Sequence, residues 1–190
     1  GDRADDGVSP WVRVLRLVPS VPCRGRCLLM TTGAALFLGF LVLQRLSELV
    51  IARRNTARLL AARAREVAPG HYPVIVALHT AWILCLMLFG YDESVRPVWL
   101  VLFAILQGLR VWILATLGRR WTTRIIVTDT PLVAGGPYRW LSHPNYLLVV
   151  TEIAIAPLVL GQWWIALVFT LLNAVVLTIR IRAEDRAIRP

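Results

Sequence analysis

Residues 144–180 read PNYLLVVTEIAIAPLVLGQWWIALVFTLLNAVVLTIR, an apolar stretch whose only charges are Glu152 and Arg180. A helix crossing a bilayer needs roughly 20 mostly apolar residues, because each residue rises about 1.5 Å. This stretch is too long for one crossing. It divides at Gly161-Gln162 into Pro144–Gly161, which is short and carries Pro157, and Gln162–Arg180. Almost no loop separates the two, so they are predicted to form a tight antiparallel hairpin. With no water in the bilayer core, helices satisfy every backbone group within the segment.

Outward from this hairpin lie three more apolar blocks, Thr31–Ala52, Pro73–Gly90 and Pro97–Gly118. The whole chain is 57% hydrophobic and 17% charged, with a mean hydropathy of +0.65, whereas soluble domains are about 45–50% apolar and about 25% charged. The fold class is therefore all-α: a polytopic membrane helical bundle with about five transmembrane helices. The net charge of +10 comes from arginine alone, since the chain has no lysine. These arginines sit at the ends of apolar blocks, as membrane anchors do, so nucleic acid is not the expected partner. Cys23 and Cys27 have no second ligand pair, which argues against a zinc site. Cys85 reads as a packing residue within a span.

Arg53, Arg54, Arg58, Arg63 and Arg65 follow the first span, and Arg119, Arg120, Arg124 and Arg139 follow the third. Arg182, Arg186 and Arg189 follow the fifth, whereas the loop after the second holds Asp92 and Glu93 with Arg96. The positive-inside rule puts the first and third loops and the C-terminal end in the cytoplasm. Residues 1–29 oppose this pattern, because they carry Arg13, Arg16, Arg24 and Arg26 where an outside segment is required. They are expected to be a poorly ordered or non-native extension ahead of Met30, with residues 30–190 as the membrane domain. A signal peptide fits less well, since arginine and proline break Val12–Pro22.

Charged groups at bilayer depth cost about 2.5–3.5 kcal/mol on insertion scales and usually face the bundle interior. Arg45 and Glu48, three apart on one helix face, are expected to pair. Arg110 lies in the middle of the third span, and Glu152 lies two turns into the fourth. Glu152 has two readings: a packing partner for Arg110, or a residue lining a polar cavity. His79 reads as a satisfied core histidine, and His71-Tyr72-Pro73 as an interfacial helix start.

The chemistry concentrates in Thr128–Tyr146, TDTPLVAGGPYRWLSHPNY. Glycines and prolines interrupt it twice, so it cannot be one helix. It reads as a structured loop ending at Pro144, the first residue of the fourth helix. That helix start offers unpaired N–H groups and a positive dipole end, suited to an anionic ligand part. Tyr138, Arg139, Trp140, His143 and Tyr146 crowd around it. A cofactor- or headgroup-binding loop is one reading; an interfacial aromatic belt with a basic anchor is the other. The second polar stretch is Arg180-Ile-Arg-Ala-Glu-Asp-Arg186, in which Arg180 and Glu184 share a helix face. Hairpin geometry brings it to the level of Pro144.

Gly-Pro-Tyr-Arg at 136–139, His-Pro-Asn-Tyr at 143–146 and Arg-Ile-Arg-Ala-Glu-Asp at 180–185 together resemble the isoprenylcysteine carboxyl methyltransferase family. These are integral-membrane enzymes that use S-adenosylmethionine. The likeness is strongest over Leu132–Glu184 and is closest to short bacterial members, some of which methylate alkylpyrones. It implies cofactor contacts from Leu132, Val133, Tyr138, His143, Pro144, Asn145, Tyr146 and Glu184. It also implies that Arg180 faces the acceptor; the charge pattern puts this site on the cytoplasmic side, and the short bacterial members point to a bacterial inner membrane. Two departures concern the acceptor: Ser142 stands where many members have arginine, and Asp185 replaces a second glutamate.

Methyl transfer to oxygen needs proximity and alignment with an anionic nucleophile, and a carboxylate or acidic enol is already ionised near neutral pH. No metal and no strong general base is expected. The implied partners are a lipid-like acceptor and the surrounding membrane lipids. The alternatives are phospholipid N-methylation, which would need a deprotonated amine, and a non-catalytic membrane protein or small transporter. The latter would be expected to carry inverted repeats, which the sequence lacks.

Overall fold

The computed structural model describes residues 31–67, 70–128, 131 and 133–188. The extension expected at residues 1–29 and the contact assigned to Leu132 lie outside the described residues. Five α-helices follow in order: α1 Thr32–Ala61, α2 His71–Gly90, α3 Pro97–Leu117, α4 Pro144–Val159 and α5 Trp163–Ile188. Four of them are long and apolar enough to cross a bilayer. The exception, α4, covers only about 24 Å at 1.5 Å per residue and packs along both α3 and α5.

The apolar blocks foretell where the helices start better than where they stop. Thr31 caps α1, its hydroxyl accepting from the Ala34 amide at 3.2 Å. The helix runs on past the expected end at Ala52 to Ala61, because residues 53–61 hold neither glycine nor proline and are mostly good helix formers. Asn55 and Thr56 are buried on this extension, and Asn55 Nδ2 donates to Trp121 O at 2.8 Å. α5 runs beyond the apolar block to Ile188, so Arg180 and Glu184 share one helix as their spacing implies. The α4–α5 turn depends on Gly161, whose φ is +69° and whose missing Cβ would sit 2.5 Å from the Arg96 guanidinium. Pro157 falls in the last turn of α4, where its carbonyl accepts from Leu160 and Gln162.

One feature departs from an all-helical reading. Strands β1, Arg65–Val67, and β2, Ile125–Val127, form an antiparallel ladder with Glu66 opposite Ile126. Arg124 pairs with Glu66 at 2.9 Å and stacks over Tyr72, 4.6 Å from its ring centre. The ladder fastens the first loop to the third, so both lie at one face of the bundle. The end of α5 packs against both strands.

Three layers run along the bundle axis. At the end far from the ladder is an apolar core of residues such as Phe37, Leu41, Leu86, Phe103, Leu160 and Ile165, with Phe37 edge-on to Phe103 at 5.2 Å. Exposed leucines and valines on every long helix form the surface that lipid would cover. Because lipid tails are as apolar as the core, close packing and buried polar contacts hold such a bundle together. The middle layer is polar. Arg45 bonds Glu48 at 3.1 Å and also Glu152, while Arg110 bonds Glu48 at 2.8 Å and also Glu152. Gln107 donates to Glu152 at 2.8 Å, and Gln44 lies within 3.2 Å of both carboxylates. Two arginines thus balance two glutamates. Glu152 is fully buried and is the packing partner of Arg110 and Arg45; it is not among the residues that line the cavity walled by α1, α2 and α5. The third layer, nearest the ladder, holds the candidate site.

Candidate active site

Loop 133–143 is laid onto α3. Gly136 has φ +54°, and a Cβ there would meet Thr116 Oγ1 at 2.6 Å. This close approach seats the 3₁₀ turn Gly136–Arg139, and Arg120 holds the loop from the other side by donating to Pro131 O. Pro137 is buried, while Trp140 is exposed with its edge on Trp112 at 6.2 Å. Pro144 then opens α4 as its first residue, itself buried. One turn brings His143 and Tyr146 into a stack, with centroids 5.3 Å apart and planes 15° from parallel.

The last two turns of α5 meet this loop. Arg180 is buried, and its Nε donates to the Tyr146 hydroxyl at 2.9 Å; its guanidinium lies 5.5 Å from the ring centre. The same hydroxyl donates to Glu184 Oε2. Arg180 and Glu184, one helical turn apart, are therefore joined through a tyrosine from α4. The Tyr138 phenol is pushed up to about 12, first by burial and then by the Glu184 charge, which keeps it a neutral hydrogen-bond donor. Tyr138, His143, Tyr146, Arg180 and Glu184 thus come together at the ladder face. Val133 is partly buried in the loop. Asn145 is partly buried, and its Oδ1 is enclosed without a hydrogen-bond partner among the described residues.

Beside this group opens a cavity of about 350 Å³, walled by α1, α2 and α5. That is the lower part of the range for small-molecule sites. Asn145, Tyr146 and Arg180 stand at its ladder end, apolar residues such as Val42, Ile75 and Leu177 form much of its side, and Ile83 and Leu84 lie toward the far face. Leu46, Val76 and Leu84 of the lining are exposed, so the mouth is turned to where lipid would be. His79 lines the cavity and its Nδ1 lies 2.9 Å from Ile75 O; it is satisfied, but it is not sealed in the core.

Sequence reasoning missed several of these groups. The Glu48–Arg110 pair joins residues far apart in the chain that no spacing rule connects. Gln44 and Gln107 could have been noticed as amides within apolar blocks, as could Asn173, which lines the cavity. The position of Tyr146 between Arg180 and Glu184 needed the packing of α4 on α5.

The profile of the Isoprenylcysteine carboxyl methyltransferase (ICMT) family matches residues 99–190, which contain the loop, α4 and α5. An uncharacterized Bacillus subtilis (strain 168) protein, YpbQ, is 36% identical over 160 residues, covering 81% of this chain and 95% of its own length. No solved structure matches the chain. A bundle with four apolar helices of crossing length, paired GPYR and HPNY motifs and this match together establish that the protein is an integral-membrane member of the isoprenylcysteine carboxyl methyltransferase family.

Proposed function

We propose that this protein moves a methyl group from S-adenosylmethionine to an oxygen of a lipophilic acceptor, either a carboxylate of the isoprenylcysteine type or an acidic enol of the alkylpyrone type. The observation that carries the reading is the Arg180–Tyr146–Glu184 connection at the ladder end of a cavity that opens toward lipid. It sets an acidic, aromatic half-site beside a cationic one.

The residues present suit the cofactor. Glu184 can accept hydrogen bonds from a ribose or an amine. The stacked His143–Tyr146 pair and Tyr138 offer aromatic faces to a cation or a base. Asn145 Oδ1 is a buried acceptor lacking a partner among the described residues. Val133 and the buried Pro144 flank them. When bound, S-adenosylmethionine supplies an electrophilic methyl on a sulfonium. Everything else falls to the protein: the loop and Glu184 bind, and Arg180 holds the acceptor oxygen by a charge-assisted hydrogen bond. The cavity takes the lipid tail and keeps water from the reacting atoms. The arginine-rich ladder face supports a cytoplasmic site, in a bacterial inner membrane.

Membranes containing the protein, incubated with methyl-labelled S-adenosylmethionine, should yield a labelled lipid extract whose label is lost under ester- or enol-ether-cleaving conditions. Label in an amine headgroup would overturn O-methylation in favour of phospholipid N-methylation. No label in lipid would overturn the enzyme reading itself.

A further inference from the structure

The cavity does not become uniformly apolar beyond Arg180. Since Tyr146 of α4 touches Arg180 of α5 and the two helices are antiparallel, seven residues deeper on each brings Ile153 opposite Asn173. Asn173 therefore stands at the depth of Glu152 and its arginines, about 10 Å below the Tyr146–Arg180 contact. Asn173, Arg45, Glu48, Arg110 and His79 all line the cavity. Asn173 is 4% exposed, and its Nδ2 has no hydrogen-bond partner among the described residues; the same holds for the Nε atoms of Arg45 and Arg110. The carboxylates at this level are already taken by the arginines and glutamines. Gln44 Oε1, an acceptor of the same network, also lacks a partner among the described residues, but Gln44 does not line the cavity; the unpartnered atoms of the lining residues at this depth are N–H donors.

A hydrocarbon tail passing this level would leave those donors unmatched, which is costly in a low-dielectric interior. We propose that the level of Asn173 is a second recognition subsite, which selects acceptors carrying a carbonyl or ether oxygen partway along their length. This rests on the O-methyltransferase reading for the site at Arg180 and narrows its substrate class to amphiphiles oxygenated in mid-body. Arg180 holds the oxygen to be methylated, and Asn173 donates to the deeper oxygen, acting as a specificity-determining residue outside the reacting group.

The test uses the full chain in lipid nanodiscs and two radiolabelled probes, hexadecanoic acid and its mid-chain keto analogue. Each probe is partitioned between nanodiscs with and without protein, and methyl ester formation is scored separately with S-adenosylmethionine added. Wild-type protein is expected to hold the keto acid about ten-fold more tightly, the equivalent of one net hydrogen bond. Asn173→Leu and the smaller Asn173→Ala should each abolish that preference, the former by binding the plain acid better. Equal binding of the two acids to wild-type protein, or binding of neither, overturns the subsite, and needs no variant to fold. Selective binding without methyl ester leaves the subsite standing and counts against a carboxylate as methyl acceptor.

Discussion

Arg180 and Glu184 sit one turn apart on α5 but meet through Tyr146, whose hydroxyl accepts from Arg180 Nε at 2.9 Å and donates to Glu184. The half-site proposed for the cofactor and the one proposed for the acceptor therefore share one oxygen atom. Tyr146→Phe keeps the stack on His143 and deletes that oxygen. Both S-adenosylmethionine affinity and acceptor KM should worsen, by about ten-fold or less each, since two net hydrogen bonds are lost. Titration of the detergent-solubilised variant and steady-state kinetics would read the two effects apart.

Arg180→Ala should behave differently. Loss of a charged donor to an anionic oxygen costs about 1.5–3 kcal/mol, or roughly ten- to a hundred-fold in rate, while cofactor binding persists. His143→Ala should instead weaken S-adenosylmethionine binding directly. Equal loss of cofactor affinity in both variants would refute the assignment of Arg180 to the acceptor.

Glu152→Gln should destabilise the fold, because it leaves two buried arginines facing one carboxylate. Removing one partner of a buried ionic group costs about 3–5 kcal/mol. Thermal unfolding in detergent should register a lowered midpoint, and Arg110→Leu combined with Glu152→Leu should lose less than the sum of the single changes.

Much of this was legible in the sequence, and the remainder was not for identifiable reasons. Long apolar runs and Pro97 or Pro144 at a helix start carry their own meaning, so the spans and the hairpin at Gly161 could be read directly. The extension of α1 to Ala61 could not be read from hydropathy, because arginines, Asn55 and Thr56 interrupt the apolar run and the partner of Asn55, Trp121, is distant in sequence. The ladder escaped notice because Arg65–Val67 and Ile125–Val127 are too short to show alternation. Spacing put Arg180 and Glu184 on one face and the family resemblance named Tyr146, but the place of this tyrosine between the two was not legible, since spacing within α5 says nothing about α4.

Tyr138 gives a pH signature. Its phenol is raised from 10.0 to about 12 by burial and by Glu184, so the folded state holds its proton more firmly than the unfolded chain. The stability this contributes is complete below about pH 10 and is lost as pH rises toward about 12. Tyr138→Phe should remove that part of the alkaline decline, as followed by unfolding midpoints between neutral and strongly alkaline pH. An identical decline in the variant would contradict the burial of this phenol.

Gly161→Ala tests the hairpin. A left-handed backbone costs an L-residue about 1–2 kcal/mol, and the new methyl would crowd the Arg96 guanidinium. A lowered unfolding midpoint is expected, with Gly161→Asn milder because asparagine tolerates this conformation.

The charges of the middle layer also bear on how the chain enters the bilayer during synthesis. α1 carries Arg45 and Glu48 paired three residues apart, so it can partition into lipid as a neutral segment on its own. α3 and α4 cannot: one brings Arg110 and the other Glu152, and these charges are met only across helices, by each other and by Glu48 and Arg45 of α1. Their tight packing along one another makes them a unit of insertion. α3 is thus expected to wait beside the insertion machinery until α4 has emerged, and the two then leave for the lipid as a pair.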